Sequence, residues 1–443
     1  MSFYARSTFT KIGFVLALAG GAVGLGNAWK FPTMVGTNGG SAFVMLYLFF
    51  CLTLGISLFL SEIALGKITK SDLATSYFKL AKITPNLCKF GGVFMLTGIF
   101  VLSFYLVILS LVFHYIFLSF SLPNTINEAG ALFNAAIGEN MSISIICFSV
   151  CFFLTLFVVN KGIIAGIEKL NVILMPALFV ILILMLLFSF TQSGFSDAFK
   201  FLFKPDFSKL GMNSLLDALG LSLFTLCLGI GCISTYAASL DDNTNILKSS
   251  LFVVFINVLI GLMMGLIVFT FIFTYNEDPT QSGAGLVFIS LATLFAKLGN
   301  FGIILSFLFF LALFFAGITS AVSMIEPFTF FMQKYISRTK ALIIIGFFVY
   351  IIGLLALFGM ARKLSFDTFS ALDFLTSNIM LPLGVLFSSI YAGFLMKRYS
   401  FFKIFLPIFG KTYTKIYFKF LQIITPIAII LIIINNFYPL FRS

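Results

Sequence analysis

The sequence predicts an all-α polytopic membrane protein with a polar site held at mid-depth. Three observations carry this: an apolar composition, apolar runs long enough to span a bilayer, and two of those runs interrupted by glycines at matching places. Of 443 residues, 60% are hydrophobic and 9% charged, and the mean hydropathy is +1.14. That balance excludes a soluble globular protein. Most of the 62 phenylalanines are expected to face lipid or to pack between spans. The net charge of +12 would suit nucleic acid, but the basic residues cluster between apolar runs, which is a topology signal. No nucleic-acid partner is expected.

The first run, 11–36, contains Gly20 to Pro32, GGAVGLGNAWKFP. A span normally keeps its backbone hydrogen bonds inside a helix, because lipid offers no replacement partner. Glycines at 20, 21, 24 and 26, with Asn27 and Pro32, weaken that ladder. Broken backbone at this depth survives only where it is buried in protein or lines a cavity, and its free N–H and C=O groups can then hold a polar solute. The run is too long for a signal peptide and lacks a small-residue cleavage site.

Runs two to five are expected at 41–66, 90–119, 141–158 and 163–190. The sixth, 212–238, carries a second break in TLCLGIGC, where Gly229-Ile230-Gly231 echoes Gly24-Leu25-Gly26. Runs seven to eleven are expected at 247–275, 300–333, 340–358, 367–394 and 416–438. Breaks in spans one and six fit a five-plus-five repeat, about 11–190 and 212–394, with a site at the bilayer midplane. Residues 395–443 are then a cytoplasmic loop and an eleventh span. The segment 280–297 starts too polar for a span and reads as an extracellular helical loop over the site.

Orientation follows the cations. With the N-terminus inside, the inner loops hold Arg6, Lys11, Lys67, Lys70, Lys79, Lys82, Lys89, Lys161, Lys169, Lys248, Lys334, Arg338, Lys340 and the basic run from Lys397 to Lys419. The outer side holds only Lys200, Lys204, Lys209, Lys297, Arg362, Lys363 and Arg442. This bias puts the N-terminus in the cytoplasm and, with an odd span count, the C-terminus outside. The six cysteines lack metal-type spacing with the single histidine, His114, so neither a disulfide nor a structural metal is expected. The glycine pattern does not complete a dinucleotide loop, because Trp29 stands at the third position.

At this point the motifs resemble a family. GGAVGLGNAWKFP followed by NGGSAF is similar to the first-span signature of the neurotransmitter:sodium symporters. LSEIALGK around Glu62, FYL at Tyr105, FTLCLGIG in span six, Asn257, and FAGITSAVSMIEP in span eight follow in the family's order. The resemblance covers most of the chain and points to a bacterial amino-acid transporter with a leucine-transporter-like fold. It makes 1–394 the transporter core and places the chain in the cytoplasmic (inner) membrane. Discontinuous helices are a well-known feature of transporters of this family, so the two breaks agree with the resemblance and are not a new fold.

The resemblance implies two sodium sites. One would use the Ala22 and Thr225 carbonyls, the Thr225 hydroxyl, and the side-chain oxygens of Asn27 and Asn257. The substrate carboxylate would supply the missing charge, so that each ligand neutralises the other in a dry site. The other would use carbonyls of Gly20, Val23 and Ala316 with the hydroxyls of Thr319 and Ser320. The carboxylate would meet N–H groups at Leu25 and Gly26, where a half-helix begins, and the Tyr105 hydroxyl. Carbonyls of Ala22, Phe224 and Thr225 would take the α-amino group. Gly24 stands where amine-transporting relatives carry an aspartate, which favours substrates that bring their own carboxylate. The side-chain pocket would comprise Val101, Tyr105, Phe224, Cys227, Ile230, Ser320 and Met324. It is apolar and favours a neutral, hydrophobic or aromatic α-amino acid.

Lys30 and Asp373 match an outer gate pair in which the family commonly has arginine. Lysine lacks the bidentate fork, so a weaker or water-mediated latch is expected. Phe224 and Tyr105 would close the site beneath it. Arg6 resembles an inner-gate arginine, but its usual acidic partner aligns with Lys334; Asp241 or Asp242 are alternative partners. Glu62 is expected to accept hydrogen bonds from the sixth-span break, and Glu326 to join an inner polar network. Chloride dependence stays open: Tyr47 is retained, whereas Gly261 replaces the serine or carboxylate of relatives. The chain thus reads as a sodium-coupled importer working by alternating access, not an enzyme. A proton-coupled permease and a nontransporting sensor on the same fold are the alternatives. Membrane lipid is its surrounding; nothing in the sequence sets an oligomeric state.

Overall fold

The computed structural model describes residues 8–280 and 285–437. Helices dominate, and among the described residues the one β-type contact is an isolated bridge between Ala81 and Met396. Nine helices there are long and apolar enough to cross a membrane. A tenth span is the bent pair Lys11–Ala22 and Gly26–Thr37, which meet at 55°. The shorter helices Met212–Thr225 and Cys232–Ala238 flank the second predicted break.

Each break has a visible cause. Val23 leaves the helix for an extended conformation, φ −82° and ψ 98°. Helix resumes through a wide first turn, in which Phe31 N donates to Gly26 O. In the sixth span Cys227, Gly229 and Gly231 all take positive φ. Glycine accepts that conformation without strain, and at Gly229 there is also no room for a Cβ, which would lie 2.8 Å from the Val385 backbone nitrogen of span ten. Elsewhere helix starts are capped by side chains that satisfy orphan N–H groups: Thr10 accepts from Gly13 N, Asp72 from Thr75 N and Asn245 from Lys248 N.

Span three (Met95–Leu118) is largely buried and packs along span eight (Asn300–Met332), forming the centre of the core. Spans five (Ile163–Ser189) and eleven are peripheral and mostly exposed. Exposed Phe49, Phe153, Phe157, Phe301, Phe347 and Phe348 give the outside an apolar surface, as a bilayer-embedded chain requires.

One region differs from expectation and a second agrees with it. The stretch after residue 394, expected as a loop, is helical from Arg398, and the helix is interrupted at Gly410 (φ 72°, ψ 175°) before the last span. It is pinned at its start where Lys397 N donates to Leu80 O and Lys82 N to Leu395 O. In the segment 280–297 a short helix, Leu286–Ala296, lies against span three through Phe288 and Tyr115, their rings 4.8 Å apart; residues 281–284 lie outside the described residues.

Candidate functional site

The two breaks line one cavity. Gly21, Ala22, Gly24, Gly26 and Asn27 come from the first; Phe224, Thr225, Cys227 and Ile230 come from the sixth span. Val101 and Tyr105 close it from span three, Ser320 and Met324 from span eight, and Leu381 from span ten. None of these lining residues is acidic or basic. Of the residues assigned to the amino acid, only Leu25 does not line the cavity. Gly21 and Leu381 also line it; Leu381 is one apolar residue in an apolar span, and only the fold brings it here.

The Leu25 N–H is not free. It donates to the Tyr105 hydroxyl at 3.1 Å, so the tyrosine oxygen accepts from the half-helix end and keeps its own proton for another acceptor. The expectation placed this N–H and the Tyr105 hydroxyl together on the substrate carboxylate; here the two groups meet each other. Cys227, strained at φ 51°, donates its thiol to Gly21 O at 2.8 Å and ties the two breaks together. Gly24 sits against Ser320 and Tyr105 with no space for a side chain.

Beside the cavity is a buried amide and hydroxyl cluster. Asn27 Nδ2 donates to Asn257 O and Asn257 Oδ1, both at 2.9 Å. Asn257 Nδ2 in turn approaches the Tyr47 hydroxyl at 3.2 Å and Thr225 Oγ1 at 3.4 Å, and those two hydroxyls lie 3.0 Å apart. Asn27 Oδ1 is buried and accepts nothing. A buried acceptor left unpaired is costly, and a hard cation binds oxygens of this type.

On the other side of the first break, Ser320 Oγ lies 2.9 Å from Gly20 O, 3.3 Å from Gly21 O and 3.1 Å from Val23 O. Thr319 Oγ1 bonds within its own helix, to Phe315 O at 2.9 Å and Ala316 O at 3.0 Å. The two hydroxyls therefore link carbonyls of spans one and eight into one oxygen-rich patch.

Above the cavity Lys30 Nζ lies 4.2 Å from the Phe224 ring centroid and 4.0 Å from Asp373 Oδ1. Ser377 stands between the charges, 3.5 Å from Lys30 Nζ and donating to Asp373 Oδ1 at 2.9 Å. The pair is thus relayed by a serine hydroxyl. A vestibule opens beyond Phe224 and includes Asp217, Asn378 and Asn436.

Glu62 Oε1 accepts from Gly229 N at 2.8 Å, which anchors the sixth-span break to span two. Glu326 is fully buried and is held by the Arg338 guanidinium, with Nη1 to Oε1 at 3.0 Å and Nη2 to Oε2. Arg6 lies outside the described residues. Lys334 pairs with buried Asp72, the cap of helix Leu73–Leu80, and with Thr75. Asp242 pairs with Lys70 at 3.0 Å, which holds its carboxyl below the usual range.

The model of the sodium:neurotransmitter symporter family matches residues 6–141 and 135–441, and the chain belongs to that family. It is accordingly a sodium-dependent symporter rather than an enzyme. The uncharacterized sodium-dependent transporter YhdH of Bacillus subtilis is 34% identical across 96% of both chains. A sodium-dependent transporter of Haemophilus influenzae is 28% identical across 98% of both. The crystal structure of MhsT in complex with L-phenylalanine superposes with a TM-score of 0.87 at 30% identity, covering 97% of this chain and 99% of MhsT. The helical architecture is therefore that of the leucine-transporter-like fold.

Proposed function

We propose that this symporter imports a neutral, hydrophobic or aromatic α-amino acid with two sodium ions across a bacterial inner membrane, N-terminus in the cytoplasm and C-terminus outside. Its core is two inverted repeats of five spans, and access alternates between the two faces. The observation that carries the reading is the unpartnered Asn27 Oδ1 beside an uncharged cavity between two broken helices.

In this scheme the first sodium sits among Ala22 O, Asn27 Oδ1, the Thr225 carbonyl and hydroxyl, and Asn257 Oδ1, and the amino acid's carboxylate completes its shell. Neither charge is stable alone in the dry cavity, so each raises the other's affinity; that reciprocity is the coupling. The Tyr105 proton and the Gly26 end of the half-helix hold the carboxylate. The α-amino group meets carbonyls of Ala22, Phe224 and Thr225. Val101, Ile230, Met324 and Leu381 receive the side chain. The second sodium occupies the oxygens of Gly20, Val23, Ala316, Thr319 and Ser320. Phe224 and the Lys30–Ser377–Asp373 relay then shut the outer side. MhsT, whose structure holds L-phenylalanine, supports the aromatic end of this substrate range.

The test is uptake of labelled L-phenylalanine, L-leucine and L-tryptophan into proteoliposomes. Accumulation should require an inward sodium gradient and vanish when choline replaces sodium. Accumulation driven equally by a proton gradient in choline would overturn the sodium assignment, and binding without uptake would mark a sensor. Tryptamine transported as well as tryptophan would overturn the carboxylate assignment.

A further inference from the structure

Asn171 belongs to no part of the scheme above. It lies in span five, on the face packed against span one, and is fully buried. Its Nδ2 donates to Ile167 O at 2.8 Å. That bond fixes the amide orientation, because a flipped amide would set two carbonyl-type oxygens against each other. Its Oδ1 consequently faces span one, where it accepts no hydrogen bond. It reaches the Cα of Gly20: a Cβ built there would overlap Asn171 Oδ1 and come within 3.1 Å of Thr319 Cβ. An orphaned, fully buried amide oxygen is thus aimed at the backbone whose carbonyl, together with Thr319 and Ser320, defines the second oxygen patch.

We propose that Asn171 supplies an additional oxygen to the cation at this patch, directly or through one water, and so extends the second sodium site onto span five. This rests on the second-sodium reading. The physical reason is that carbonyl, hydroxyl and amide oxygens are the donors a hard cation takes, and an uncompensated acceptor gains most from such a partner. The position also makes the site sensitive to any movement of span five against span one.

The experiment titrates purified full-length protein with sodium chloride, choline chloride holding ionic strength constant, and follows thermal unfolding without any amino acid. Sodium bound to the folded state raises Tm with a midpoint that reports its affinity. Asn171→Ala should move that midpoint up about tenfold, and Asn171→Asp should move it down. Asn171→Ser, too short to reach the site, gives the same upward shift if the alanine variant does not fold. If Asn171→Ala and Asn171→Ser lower Tm equally at every sodium concentration and leave the midpoint in place, the asparagine is only structural and the proposal falls. Thr319→Ala separates the two levels: a shifted midpoint there with none at Asn171 sinks this proposal alone, whereas no shift in either sinks the second sodium site itself.

Discussion

Gly24→Ala is the sharpest perturbation of the site. An alanine Cβ would stand 2.6 Å from Ser320 Oγ and 2.9 Å from the Tyr105 hydroxyl. Ordinary contact begins near 3.4 Å, so the serine oxygen must retreat by about 0.8 Å and the tyrosine oxygen by about 0.5 Å. Neither is free to do so. Ser320 is bonded to Gly20 O and Val23 O, and Tyr105 accepts from Leu25 N. Overpacking of this kind costs about 1–3 kcal/mol. Because both displaced hydroxyls belong to the proposed binding site, the cost should fall on the ligand-bound state, a loss of about 5- to 150-fold in affinity. Binding of labelled L-phenylalanine to purified protein at saturating sodium measures it, and the sodium midpoint should rise as well. Wild-type affinity and sodium dependence in Gly24→Ala would show that the carboxylate does not sit against Gly24, and the site as drawn would be wrong.

Four further outcomes are expected. The double variant Thr319→Ala with Ser320→Ala should abolish sodium-stimulated uptake in proteoliposomes; undiminished uptake would remove these hydroxyls from the site. Lys30→Arg should slow release of bound amino acid and Lys30→Ala should speed it, each by less than about fivefold, since half-exposed pairs contribute about 0.2–1 kcal/mol; dissociation kinetics read this. Glu62→Ala leaves the Gly229 N–H without an acceptor and should cost about 1–3 kcal/mol, whereas Glu62→Gln keeps one and should lose less; thermal unfolding ranks the three proteins. Lys334→Ala strands the buried Asp72 carboxylate and should lower Tm, and adding Asp72→Asn, which can still cap Thr75 N, should recover part of the loss.

Much of this site is legible in the chain because its signals are local. Glycines clustered inside an apolar run weaken that run wherever it sits, so the breaks at Gly20–Gly26 and Gly229–Gly231 can be read without knowing what faces them. The lining from Ala22 to Met324 follows from motifs in the right order. Leu381, Ser377 and Asn171 carry no local signal, since a leucine, a serine and an asparagine in apolar helices usually just pack or bond to their own backbone. The Lys334–Asp72 pair escapes for the same reason: the two residues are distant in sequence, and alignment to family positions predicts only that lysine stands where an acid is usual.

Composition and periodicity alone determined that this chain spans a membrane with two weakened helices, because lipid forbids unpaired backbone and glycine relaxes the helix regardless of neighbours. Which oxygens those openings face was decided only by tertiary packing. A hydrogen bond such as Tyr105 to Leu25 N, or the lack of one at Asn27 Oδ1 and Asn171 Oδ1, depends on ångström-scale approach between spans that no stretch of sequence encodes by itself.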